Sequence, residues 1–336
     1  MIKREGESTI VFSDKPYIVG FGSIVGKKEG QGPLKDDFDK IVFDMHLQQD
    51  TWEKAESRLQ QEALGIALEK SGMSAEDISF LFAGDLLNQC VSSSFGLKDY
   101  NIPYLGQYGA CSTMVQSLIM ASVMVESGAA HSSACVTSSH FCSAERQYRF
   151  PLDYGGQRPP SAQWTVTGSG SCVLAKKSDT QCPRVAMANI GKIVDLGVTD
   201  QNNMGAAMAP AAASTIKSYL DDTATTPYDY DMIYTGDLGV IGSKLLYELL
   251  QKDGVDISHK HKDCGMMIFD YKADAHAGGS GCGCCASVLC GHIMRGMQRN
   301  ELSNILVVAT GALLSPTTVQ QNQSIPSIAH LVNIVK

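Results

Sequence analysis

No stretch of this 336-residue chain stays apolar for long enough to cross a bilayer. The longest apolar runs, such as 304–310, fall far short of the ~20 residues a spanning helix needs, and residues 1–10 lack the hydrophobic core of a secretory signal. The expectation is a soluble protein made in the cytoplasm. Positive charge is also scarce: 27 Lys+Arg against 35 Asp+Glu give a formal charge of −8, which removes any general attraction to nucleic acid or anionic lipid. An anionic ligand must therefore be held by local groups. Disulfide patterning is missing as well, because eleven cysteines in a chain without a secretory signal read as thiols. Cys282-x-Cys284-Cys285 with Cys290 lacks the second spaced pair of a zinc site. The glycine-rich run 278–283 has neither the lysine of a phosphate loop nor the spacing of a dinucleotide fingerprint. No metal or cofactor is implied.

What is present is a core. With 44% apolar residues the chain can fill two domains or one duplicated domain. The stretch 105–127 organises it: a turn bearing Gly109 and Ala110 delivers Cys111 to the start of an apolar helix. Unpaired N–H groups and partial positive charge at a helix start stabilise a thiolate or receive a carboxylate. Upstream, 17–24 reads as a strand. Asp50 with Glu53 forms a capping-box pattern ahead of an amphipathic helix that runs to Gly72, and 78–83 reads as a buried strand. Downstream, 132–138 and 164–176 read as strands, and a polar segment ending at Pro183 marks a boundary.

Beyond that boundary the order repeats. Residues 184–197 read as a strand, 204–220 as a helix and 232–235 as a strand; then come a strand at 266–270, a glycine-rich turn opening a helix from about Cys284 to Met297, and a strand at 304–310. Gly84-Asp85-Leu86 recurs as Gly236-Asp237-Leu238, and the offset between the strands 132–137 and 304–310 carries Cys111 onto Cys284. Self-similarity of this kind signals duplication, with helices covering mixed sheets. The expected halves are 1–180, with Cys111, and 181–336.

These motifs carry a resemblance. Gly109-Ala110-Cys111-Ser112, the run Thr167-Gly168-Ser169-Gly170-Ser171, and the strand and turn at 233–239 resemble the thiolase superfamily, in particular ketoacyl synthase III type condensing enzymes. Within it, Tyr-Thr-Gly-Asp-Leu-Gly at 234–239, Ala-Asp-Ala-His-Ala-Gly-Gly-Ser-Gly-Cys-Gly at 273–283 and the run 149–160 are similar to the stage V sporulation protein AD family of spore-forming bacteria. The resemblance implies an α/β, five-layer αβαβα fold of two duplicated halves, a homodimer, and a site between the halves. It also implies binding of dipicolinic acid (pyridine-2,6-dicarboxylate), with or without Ca²⁺. Membrane proteins of the same sporulation operon would be partners in its uptake, which would place the protein peripherally at the spore inner membrane.

The catalytic side of the resemblance is incomplete. A condensing enzyme needs a cysteine nucleophile plus histidine and asparagine, or two histidines, to stabilise an oxyanion. Cys111 matches the nucleophile, but Asp237 stands where a histidine is expected, and Gly281-Cys282-Gly283-Cys284 stands where the asparagine turn is expected. His276 is the one nearby substitute. The main expectation is therefore a binding protein whose pocket includes Cys111, Asp237, His276, Gly281, Cys282 and Cys284, with His140, Arg146 and Arg149 as candidate cations for the carboxylates. The alternatives are an acyltransferase using Cys111 with His276, and a scaffold that recruits membrane partners.

Overall fold

The computed structural model describes residues 2–148, 158–270 and 273–336. Ten strands carry the architecture: β1 (Tyr17–Val25), β2 (Phe80–Gly84), β3 (Tyr104–Gly106), β4 (Ser132–Ser139), β5 (Gly168–Ala175), β6 (Arg184–Ile190), β7 (Met232–Thr235), β8 (His261–Asp263), β9 (Asn304–Ala312) and β10 (Ser327–Val335). The helices that frame the site are α1 (Trp52–Ser71), α2 (Thr113–Glu126), α3 (Phe141–Tyr148), α4 (Met204–Thr223), α5 (Gly239–Lys252) and α6 (Cys282–Val288).

The first five strands lie in the order β1-β5-β4-β2-β3 and the second five in the order β6-β10-β9-β7-β8. Pairing repeats with the order. From the β1 side, two antiparallel contacts are followed by two parallel ones, and the same holds from the β6 side. The two sets meet at a single pair, Arg184 with Tyr17. Helix α1 covers β1 and β5, and α4 covers β9 and β10, as outer layers. Between the sets, α2 packs on β2, β4 and β9 while α6 packs on β4 and β5. This is the five-layer thiolase-like arrangement, and it puts the start of both central helices at the seam.

Local sequence explains the elements. Helix α2 buries Met114, Val115, Leu118, Ile119, Ala121 and Val125, so its apolar residues are spread around the axis, as a helix enclosed by two sheets requires. Every residue of β4 and β5 is buried, and small side chains are what allow it: a Cβ on Gly170 would lie 2.1 Å from the Ala286 carbonyl oxygen. Helix α6 can approach β5 only because that atom is missing. Beyond Val288 the helix continues through a wide π turn, Leu289–Ile293, into Met294–Gln298.

Three local expectations are corrected. The N-cap of α1 is Thr51, whose side chain accepts from Lys54 N, with Gly72 closing the helix at φ 69°; Asp50 lies one residue outside it. Residues 266–270 are not a strand, because Asp263 at the end of β8 caps a short helix, Cys264–Ile268, by accepting from Met266 N at 3.0 Å. A short apolar run has no periodicity to tell the two apart. The strand expected over 184–197 stops at Ile190.

Candidate functional site

The Cys111 cavity lies at the seam and draws residues from both halves. Leu86, Ala110, Cys111, Ala144, Glu145, Tyr148 and Thr165 come from the first, and Gln201, Met204, Ser280, Gly281, Ala312 and Leu314 from the second. It encloses about 60 Å³, enough for about four to six waters at the usual requirement of ~10–15 Å³ each. Cys111 sits in a tight turn, Ala110–Ser112, just ahead of α2. Its Sγ is 4.0 Å from Ser280 Oγ.

Asp237 is the centre of this seam. Its Oδ2 accepts from Ser280 Oγ at 3.1 Å and from Gly281 N at 2.9 Å, and its Oδ1 accepts from Thr310 Oγ1 at 3.1 Å. Gln163 Nε2 donates to its carbonyl at 2.7 Å. A second acid braces the turn from behind: Asp263 accepts from Leu238 N, Gly239 N and Thr235 Oγ1 at 2.8, 2.9 and 2.6 Å. Burial pushes the Asp237 carboxyl up to about 7, against the hydrogen bonds that oppose the shift. Burial also raises the Cys111 thiol well above its ordinary value, and the neighbouring Asp237 adds to it. The thiolate expected at a helix start is therefore reversed, since desolvation and a like charge outweigh the helix terminus.

Four of the amide donors at these helix starts are already engaged. Gly281 N serves Asp237, Gly283 N donates to Ser139 Oγ at 3.1 Å, and Cys284 N donates to the Gly281 carbonyl at 2.9 Å. Ahead of α2, Ser112 N is taken by the Gly109 carbonyl at 3.1 Å. Gly281 holds φ at 100°, a conformation that favours glycine, and this lets its N–H face Asp237.

The remaining sequence candidates separate. Cys282 packs beside Cys111 and donates Sγ–H to the Ser138 carbonyl at 2.9 Å, whereas Cys284 turns to the Gly236 carbonyl at 3.5 Å. His140 is fully buried and spent on structure: Nδ1 accepts from Cys142 N at 3.1 Å and Nε2 bonds the Met45 carbonyl at 3.0 Å. Burial lowers its pKa, so it is no cation for a ligand. Arg146 points outward and pairs with Glu53. Arg149 lies outside the described residues. His276 is exposed at φ 48°, 3.5 Å from Asp274, and does not line the cavity. Among residues that the sequence does not mark as site candidates, Arg158 borders the cavity through Glu145. Arg158 ion-pairs with Glu145 at 3.3 Å and donates to the Gln163 carbonyl.

With this geometry in hand, comparison with known proteins decides the family: the model of stage V sporulation protein AD matches residues 6–335. The chain belongs to the stage V sporulation protein AD family. It is 44% identical over 330 residues to stage V sporulation protein AD of Bacillus subtilis (strain 168), covering 98% of this chain and 97% of that one. Among solved structures, 3-oxoacyl-[acyl-carrier-protein] synthase III from Aquifex aeolicus VF5 matches with a TM-score of 0.59 at 11% identity, over 96% of this chain and all of the other. A variant of Xanthomonas campestris OleA matches with a TM-score of 0.63 at 12% identity, over 97% and 99% of the two chains. At such low identity these neighbours share the fold. Among the described residues no helix is long and apolar enough to cross a membrane.

Proposed function

We propose that this sporulation-family protein uses the thiolase-like fold for binding rather than condensation, and that its ligand is dipicolinate on its way into the developing spore. The observation that carries the reading is Asp237: a buried carboxyl faces Cys111 where an oxyanion would need a donor, and the thiol beside it is held neutral. Losing oxyanion donors costs on the order of 10²–10³ in rate each. The acyl-transfer reading, which the synthase-like neighbours keep open, has no histidine lining the Cys111 cavity among the described residues to support it.

The same reading divides the chain near residue 180 into two duplicated halves and takes a homodimer as the working form. Strand β3 supports the dimer, since it is an edge strand with Tyr104 and Leu105 exposed, a surface that pairing with a second copy would cover. Membrane proteins of the same operon are the proposed partners at the spore inner membrane. Calorimetric titration with pyridine-2,6-dicarboxylate, with and without Ca²⁺, tests the ligand. Absence of heat in both arms rejects it.

A further inference from the structure

Helix α3 and the segment 85–93 form one wall of the Cys111 cavity, to which they give Leu86, Ala144, Glu145 and Tyr148. The two are tied to each other. Gln147 Nε2 donates to the Leu86 carbonyl at 3.0 Å, Tyr148 Oη donates to the same carbonyl, and Asn88 N donates to Gln147 Oε1 at 2.8 Å. The segment is also strained: Gln89 and Cys90 stand in succession in the left-handed region, at φ 55° and 53°, which residues with a Cβ adopt only at a cost. Such strain persists where the surroundings hold it in place.

What holds this wall to α1 is a buried polar cluster. Asp85 closes the segment through Leu87 N, Ser93 N and Ser93 Oγ. Ser143 of α3 sets its Oγ 2.5 Å from Glu56 Oε2, and Ser138 Oγ of β4 donates to Glu56 Oε1 at 3.0 Å. Gln60, one turn further along α1, joins the two acids, since its Nε2 donates to Ser93 Oγ and Ser138 Oγ, both at 2.8 Å. Every one of these side chains is buried. Neither acid has an ion-pair partner among the described residues. The titratable groups that face the pair are Glu53, which Arg146 neutralises from outside, Cys282, and Cys90, Tyr104 and Tyr108 around Asp85. Ser143 Oγ has one proton for two acceptors, Glu56 Oε2 and the His140 carbonyl at 3.0 Å. A proton on Glu56 makes up the shortfall.

We propose that α3 and the segment 85–93 are a flap over the Cys111 cavity, latched to α1 by a proton on Glu56 and released when that proton is lost. Two carboxylates joined through one glutamine in a dry interior do not both stay ionised without a cation. Asp85, with two amide donors besides a hydroxyl, keeps the charge, and Glu56, with hydroxyls alone, takes the proton. Burial and the nearby Asp85 raise Glu56 from 4.5 to about 8. The closed flap therefore binds more protons than an open one in which Glu56 meets water. Closure is fully favoured below 4.5 and weakens as pH rises toward 8, by up to about tenfold in the opening constant per pH unit. The cavity is shut in an acidic setting and opens in an alkaline one, whichever ligand it takes.

Hydrogen exchange read by mass spectrometry on the full chain, at pH 6–8 and corrected for the intrinsic exchange rate at each pH, tests the latch. Peptides covering 85–93 and 141–148 are compared with a peptide covering β10 in the core. The flap peptides are expected to open about tenfold more at pH 7 than at pH 6, while β10 stays better protected throughout. Glu56→Gln should abolish the pH dependence of the flap, and Asp237→Asn, which removes the other raised acid at the cavity, should leave it in place. Ser143→Ala, which cuts the α3 end of the latch, should raise flap opening at pH 6 about tenfold, the scale of one buried hydrogen bond. Three results overturn the proposal: flap protection that does not change with pH, a dependence that survives in Glu56→Gln, or flap peptides no less protected than β10. Should Glu56→Gln fail to fold, Ser143→Ala decides, and unchanged opening at pH 6 rejects the latch.

Discussion

Gly84-Asp85-Leu86 and Gly236-Asp237-Leu238 follow topologically matching strands, β2 and β7, yet their aspartates do different work. Asp85 is closed within its own loop, accepting from Leu87 N at 2.8 Å and from Ser93 N and Oγ at 2.8 and 2.6 Å. Asp237 reaches across the seam to Ser280, Gly281 and Thr310 and faces Cys111. In the second half the loop-closing role has passed to Asp263, which holds Leu238 N and Gly239 N. One tripeptide copied by duplication therefore serves as a brace in one half. In the other, a separate brace frees it to shape a site.

The comparison breaks most readily at Asp85. Asp85→Ala removes the acceptor of three buried donors, and each donor left unpaired costs about 1–3 kcal/mol, so urea unfolding should show a loss of about 3–5 kcal/mol. A loss under 1 kcal/mol would mean that the loop is not held by this carboxylate. The next effect comes from its neighbour Glu56, which accepts from Ser138 Oγ at 3.0 Å and from Ser143 Oγ at 2.5 Å. Burial, with Asp85 nearby, pushes Glu56 up to about 8. Between its ordinary value of 4.5 and about 8, the folded state binds more protons than the unfolded state. Stability is thus fully present at the acid end and falls as pH rises, by up to about 1.4 kcal/mol per pH unit for one such group. Glu56→Gln should flatten this slope between pH 5 and 7.5. Part of the slope should remain from Glu29 and Asp237, both raised to about 7. An unchanged slope in the variant would show that Glu56 is ionised in the native protein.

On the second-half side, Asp237→Asn keeps an acceptor for part of its network and should cost about 1 kcal/mol, much less than Asp85→Ala. Its diagnostic effect is on Cys111: with the carboxylate gone, the thiol pKa should fall. Alkylation rates followed peptide by peptide in mass spectrometry across pH 7–10 would detect the shift. If Cys111 reacts identically in both proteins, Asp237 does not control the thiol, and the contrast between the two aspartates weakens.

Much of this arrangement is legible in the chain, and the gaps have physical causes. The alternation of strands and helices and the repeat follow from periodicity, glycine turns and the duplicated tripeptide, and the placement of Cys111 and Asp237 at one seam follows from the resemblance to condensing enzymes. The protonation state at Cys111 does not, because it depends on how deeply the packed seam excludes water, which no local motif records. The same reason hides the cations. Arg146 and Arg158 are both arginines near α3, and only tertiary packing directs Arg158 over Phe141 and Trp164 while Arg146 faces outward. Asp263 and Thr310 were overlooked because hydrogen bonds between distant strands leave no spacing in sequence.

Arg146 supplies the smallest expected effect and a control for the comparison. Its side chain is 54% exposed, and its Glu53 partner lies on the first turn of α1. The pair therefore sits in high dielectric, screened by salt, and holds two long side chains at an entropic cost. Exposed pairs of this kind are worth about 0–1 kcal/mol. Arg146→Ala should change unfolding free energy by no more than about 0.5 kcal/mol, and any change should shrink further at 0.5 M NaCl. Helix α3 also carries Ala144 and Glu145 on its inward face, so its position is set by packing that the substitution leaves in place. A loss above 2 kcal/mol would mean that α3 is pinned from its outer side by this ion pair, and the division between a braced first half and an adaptable seam would have to be redrawn there.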